Sequence, residues 1–126
     1  MPIVTLTTTQ GTPAALIDGL LEQIHAALVA SGVPPTDRFH RIMELPPGAL
    51  RVDPSYPDLK QPRTSRFMLV EITLSVGRSV KVKRQIAEAI AAGAAKLGLS
   101  PEDVMIHFQE TRWENWSFAG GRLLHG

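Results

Sequence analysis

The sequence predicts an α+β fold in which duplicated βαβ units form a four-stranded mixed sheet, with two helices on one face and a C-terminal hairpin. Three observations predict it. Residues match at a fixed offset of 66: Val4 with Val70, Leu6 with Ile72, Gly11 with Gly77, Glu22 with Glu88, Ile24 with Ile90, Gly32 with Gly98, Pro35 with Pro101, Asp37 with Asp103 and Glu44 with Glu110. Each half runs from a strand pattern through a turn into a helical apolar stripe and back to a strand pattern, in register twice. After residue 110 the repeat stops, and an aromatic-rich segment precedes Gly120-Gly121. A βαβ unit makes a right-handed crossover between parallel strands, and two joined units make a mixed sheet.

Residues 3–8 are β-branched and apolar, a short strand with Val4 and Leu6 on one face. Gly11-Thr12-Pro13 reads as a turn, with Thr12 as N-cap and Pro13 at the first helical position. Ile17, Leu20, Leu21, Ile24 and Leu28 then recur at helical spacing. Gly32 closes that helix and Pro34-Pro35 prevents its continuation. A second strand is expected at about Phe39 to Leu45. Residues 46–66 carry five of the ten prolines, which predicts a surface excursion with a short edge strand around Leu50 to Val52.

Regular structure is expected to resume at Phe67 to Val76, where Val70, Ile72, Leu74 and Val76 alternate with Glu71, Thr73 and Ser75. Ser79 is the expected cap of a helix from about Val80 to Leu97, with Ile86, Ala89, Ile90, Gly93 and Leu97 on its core face. Gly98 ends it, and Asp103 to Glu110 reads as the last strand. Trp113 to Leu124 reads as a small hairpin with a glycine turn. The chain is thus expected to be a single domain, 1–126, with repeat units at about 2–45 and 67–110 and the hairpin at 113–124.

Composition excludes several classes of function. With 44% hydrophobic and 20% charged residues, the 126-residue chain reads as an ordinary soluble domain with one core. A net charge of +1 gives no bulk attraction to nucleic acid or membrane. The absence of cysteine excludes disulfides and thiolate chemistry. No run approaches the roughly 20 apolar residues of a membrane span, and the start lacks the pattern of a signal peptide, so a cytoplasmic location is expected. His25, His40, His107 and His125 show no metal-ligand spacing. Phosphate-loop, dinucleotide and Ser-His-Asp patterns are missing too, so no metal and no cofactor is expected. The sheet face away from the helices should carry apolar side chains that an oligomer would bury.

Three residues are candidates for chemistry. Met1 precedes a small residue, where methionine aminopeptidase usually acts. Its removal would leave Pro2 with a free secondary amine, and an α-amino group has a reference pKa of about 8. Surroundings can tune such an amine into a general acid or base. Arg78 follows the strand expected to run beside the first one, so guanidinium and amine could meet near a helix N-terminus suited to anions. A nearby cation would favour the neutral amine, and a carboxylate such as Asp37 would favour the charged acid. The plain alternatives are that Met-Pro is a common start, that Arg78 faces solvent, and that Asp37 is only a turn residue like its repeat mate Asp103.

The duplicated βαβ pattern, the N-terminal proline and Gly77-Arg78-Ser79 at the second helix together resemble the tautomerase superfamily. Gly32-Val33-Pro34-Pro35-Thr36-Asp37-Arg38, and Trp116-Ser117-Phe118 followed by Gly-Arg, look like the malonate semialdehyde decarboxylase family within it. The resemblance implies a homotrimer with Pro2 at the floor of a small pocket. It implies that Pro2 works with Asp37, that Arg78 is one of two substrate-binding arginines, and that Trp116 and Phe118 wall the pocket. The other arginine would fall at Val76, which can neither carry charge nor donate from its side chain. Arg38, Arg41, Arg66 or a neighbouring subunit's arginine at position 122 could replace it. The function implied is a cofactor-independent enzyme acting on a small oxo acid, most like a 3-oxo acid decarboxylase. The alternatives are a keto–enol tautomerase of a 2-oxo acid and a catalytically silent trimeric binding module.

Overall fold

The computed structural model describes residues 2–123. Strand β1 (Ile3–Thr9), helix α1 (Ala14–Ala30) and strand β2 (His40–Leu45) are followed by β3 (Met68–Ser75), α2 (Val80–Lys96) and β4 (Val104–Thr111). The four strands lie in the order β2-β1-β3-β4. β1 and β2 are parallel, as are β3 and β4, while β1 and β3 meet antiparallel. Adding 66 to the bounds of α1 gives those of α2. The turn glycines Gly11 and Gly77 both have positive φ, 96° and 127°, which a residue with a Cβ rarely adopts.

The alternation read from the sequence becomes the core. Val4, Leu6, Val70, Ile72 and Leu74 are fully covered and share one cluster with Leu20, Ile24, Leu28, Ile86 and Ile90 of the helices. Both helices therefore lie on one face of the sheet. Their axes approach closely where Gly93 meets Gln23: a Cβ built on Gly93 would stand 2.6 Å from the Cβ of Gln23. Ala94, rather than the expected Ala89, completes the buried stripe of α2.

Helix starts divide between expectation and correction. Ser79 caps α2 as expected, its hydroxyl accepting the N–H of Val82 at 3.2 Å. Thr12 does not cap α1. Its hydroxyl donates back to Thr9 O at 2.9 Å and meets the Thr8 hydroxyl at 3.1 Å, so α1 starts after Pro13 without a side-chain cap.

Residues 46–66 form an excursion without a strand, so the edge strand expected at Leu50 to Val52 is not made. Prolines on both sides of that segment remove donors that a ladder needs. The excursion is tied down by Asp103, 2% exposed, whose carboxylate accepts both the N–H and the hydroxyl of Thr64 at 2.6 Å. After β4 come a single 3-10 turn, Trp113–Asn115, and a reversal closed by Arg122 N–H to Ala119 O at 3.3 Å. The arms of this reversal carry no strand among the described residues, and Leu124 lies outside them.

The sheet face away from the helices is more polar than expected. Thr5, Thr7, Glu71, Thr73, His107 and Gln109 occupy its middle by register, and its exposed apolar side chains, Ile3, Met43 and Met105, sit toward the margins. A cavity of about 520 Å³ opens at one end of this face, between the excursion and Leu69 and Met105.

Candidate active site

The other end of the sheet gathers the residues singled out in the sequence. The amide of Val4 donates to Phe39 O at 2.9 Å. Backbone nitrogens two residues apart in a strand face the same side. The nitrogen of Pro2 therefore faces the β2 side of the sheet, toward the segment that leads into β2. Pro2 is buried. On its other flank, Ile3 stands opposite Thr73, which carries Pro2 to the level of Leu74, near the end of β3.

Asp37 sits half-buried in a segment held at several points. Its own N–H donates to Pro34 O at 3.0 Å, closing a tight turn. His25, on α1, donates from Nε2 to Pro35 O at 2.8 Å, since a carbonyl can only accept. Arg38 is ion-paired with Glu22 of α1. The hydrogen bond from Arg38 is the main reason why the Glu22 carboxyl titrates below the usual carboxylate range. His40 packs edge-on against His25, ring centroids 6.0 Å apart. Burial, then the positive charges of Arg38 and His25, push its pKa below the ordinary imidazole value, against a weaker opposing pull from Glu22.

Arg78 follows Gly77 and directly precedes the cap of α2. It is half-buried and makes no hydrogen bond or ion pair among the described residues. Val76 is 40% exposed and its N–H is spent on Thr111 O at 2.8 Å. Of the arginines that could stand in for the one missing there, Arg38 is engaged by Glu22. Arg41 donates from Nε to Thr5 Oγ1 at 3.1 Å, on the sheet face away from the helices. Arg66 precedes the opposite end of β3, some 25 Å away at about 3.3 Å per residue.

Trp116 and Phe118 meet, with ring centroids 5.7 Å apart, and Phe118 stacks on Phe39 at 5.9 Å and 16°. Trp116 is buried and donates from Nε1 to Thr111 Oγ1 at 2.5 Å. Phe39 leads into β2 and Trp116 follows β4, so this aromatic strip crosses the ends of the two middle strands. Sequence reading missed Phe39, His25 and Thr111. Phe39 carried a signal as the first residue of the strand predicted at about Phe39 to Leu45, whereas the two polar partners act through contacts distant in sequence.

Among the described residues no cluster of His, Asp or Glu could hold a metal ion. No described helix is long and apolar enough to cross a membrane. The geometry places a buried Pro2, a carboxylate segment, an arginine at a helix N-terminus and an aromatic cover at one end of the sheet. Such a site can bind a small anion and exchange a proton with it.

A family model described as tautomerase enzyme matches residues 37–119. No curated protein sequence matches the chain significantly. Among solved structures, a malonate semialdehyde decarboxylase studied for its decarboxylase and hydratase activities superposes with a TM-score of 0.85 at 27% identity, over 95% of this chain and 92% of that one. The FG41 malonate semialdehyde decarboxylase inhibited by 3-bromopropiolate gives 0.86 at 21% identity, over 95% and 91%. A fused 4-OT, described as a symmetric trimer, gives 0.76 at 22% identity, over 98% and 96%. The chain thus belongs to the tautomerase enzyme family, and its fold is that of a malonate semialdehyde decarboxylase-like member.

Proposed function

We propose that this chain is a cofactor-independent enzyme that uses the amine of Pro2 on a small oxo acid, most like a malonate semialdehyde decarboxylase. The observation that carries this reading is the Val4-to-Phe39 bond, which turns the nitrogen of Pro2 toward the Asp37 segment. A carboxylate beside an amine favours its charged form, so Pro2 acts as an acid. The ammonium polarises the carbonyl β to the substrate's carboxylate. As the C–C bond to the carboxylate breaks, its electron pair moves into the carbonyl, CO2 leaves, and the resulting enol takes up a proton at carbon. Arg78 holds the substrate, Asp37 positions it or a water, and Trp116 and Phe118 exclude solvent.

Val76 favours a second reading, keto–enol tautomerisation of a 2-oxo acid. Without a second arginine there, the carboxylate is held less firmly in the pose that decarboxylation needs. The working unit is a homotrimer, by likeness to the trimeric fused 4-OT. The deciding experiment follows CO2 release from malonate semialdehyde and ketonisation of an enolised 2-oxo acid, with the assembly sized by sedimentation. Turnover of either acid by a trimer supports the reading. A stable monomer with neither activity contradicts it.

A further inference from the structure

The hydroxyl of Ser75 does nothing for the fold. Ser75 is 0% exposed, and its Oγ has no hydrogen-bond partner among the described residues. Burying a hydroxyl without a partner is destabilising, and such groups tend to mark sites where something else uses them. Its position says what that is. Ser75 ends β3 beside Thr111, on the sheet face away from the helices. Thr111 receives Trp116, which continues through Phe118 to Phe39, so Ser75 stands beside the residue that anchors the aromatic strip. Pro2 is one register step away, level with Leu74. Three residues onward stands Arg78, half-buried and without an ion-pair partner among the described residues. Val76, between them, offers no side-chain donor.

We infer that Ser75 is a substrate-binding residue: its hydroxyl donates to one carboxylate oxygen of a small acid whose other oxygen is taken by Arg78. The inference rests on the Pro2 site proposed above and names the group that serves where Val76 leaves a gap. A neutral donor fixes direction without adding charge, so the carboxylate of a short acid is held by one guanidinium, that of Arg78, and one hydroxyl. The orphan hydroxyl is then a donor held ready in the empty protein, at some loss of stability.

The test uses malonate, a dicarboxylate that offers no aldehyde to react, titrated by calorimetry into full-length protein and its Ser75→Ala variant. Removing a hydrogen bond to a charged group should weaken malonate binding about tenfold. The same substitution should leave the thermal midpoint of the free protein unchanged or raise it, because the orphan hydroxyl is gone. Malonate binding equal in both proteins, or absent from the parent, overturns the assignment. So does a fall in thermal midpoint, which would show that the hydroxyl serves the fold. A parent that binds malonate through Ser75 but turns over no oxo acid would sink the catalytic reading of Pro2 and leave this one standing.

Discussion

The amide of Val4 and the carbonyl of Phe39 meet at 2.9 Å, and this bond fixes how the first strand enters the sheet. It joins the chain start to the segment that carries Asp37, while the opposite edge of β1 lies against the end of β3. One end of the sheet thereby brings together groups from positions 2, 37, 75 and 78.

Restoring the absent cation should change one activity more than the other. Losing one charged hydrogen bond typically costs about 1.5–3 kcal/mol, or roughly one to two powers of ten in rate. Val76→Arg should therefore raise CO2 release from malonate semialdehyde selectively, and Arg78→Ala should abolish turnover of both acid types. Steady-state kinetics of the parent and both variants checks this. Fast parental decarboxylation that Val76→Arg leaves unchanged would mean that the carboxylate is held elsewhere.

Trp116→Phe removes the donor to Thr111 Oγ1 while keeping an aromatic ring. The loss should be about 1 kcal/mol, lowering the thermal midpoint by about 3–5 °C for a domain of this size. Phe118, 46% exposed, should tolerate Phe118→Ala with less loss of stability but weaker substrate binding. Melting curves and substrate KM values separate the two effects. Equal destabilisation by both would mean that Phe118 is a structural residue.

Much of this was legible in the sequence because it rests on local chemistry. The 66-residue offset, the glycines at 11, 32, 77 and 98, and the Ser79 cap all act over a few residues, and the structure contains each of them. What escaped depends on contacts distant in sequence. Thr12 has the form of a cap, yet a neighbouring hydroxyl and the Thr9 carbonyl claim it. Asp37 and Asp103 are repeat mates, but only the fold shows Asp103 committed to Thr64. Ser75 reads as one polar residue of an alternating strand, and its complete burial without a hydrogen-bond partner appears only in the fold.

The clamp on the excursion gives a stability prediction. Asp103→Ala strands the N–H and the hydroxyl of Thr64 and should cost about 2–4 kcal/mol. Asp103→Asn keeps one acceptor and should cost less. Urea denaturation measures the loss, and limited proteolysis within residues 46–66 should accelerate in parallel. Unchanged proteolysis in a destabilised Asp103→Ala would show that the excursion is held by other contacts.

His40 gives a pH prediction whose sign follows from its environment. Its folded pKa lies below the ordinary value of 6.5, so the unfolded chain binds the proton more readily. Stability should therefore fall as pH drops from about 7.5 through 6.5 toward the folded pKa, and level off below it. The groups facing His40 are His25, Arg38 and Glu22, and the Glu22–Arg38 pair adds its own loss only at more acidic pH, below about 4.5. His40→Gln should flatten the upper part of the profile in urea midpoints taken from pH 8 to 5. An unaltered slope would assign it to another group.

The most direct test of the central claim is oxo-acid turnover by two preparations that differ only in Met1. With Met1 removed, the nitrogen of Pro2 is a secondary amine able to carry a proton; with Met1 retained, it is a tertiary amide that can neither donate nor accept one usefully. N-terminal mass analysis establishes which form is present. The processed protein should turn over its substrate and the unprocessed protein should be inactive, a difference of at least about a hundredfold for loss of a general acid. Equal turnover by both forms would contradict the assignment of Pro2 as the catalytic group.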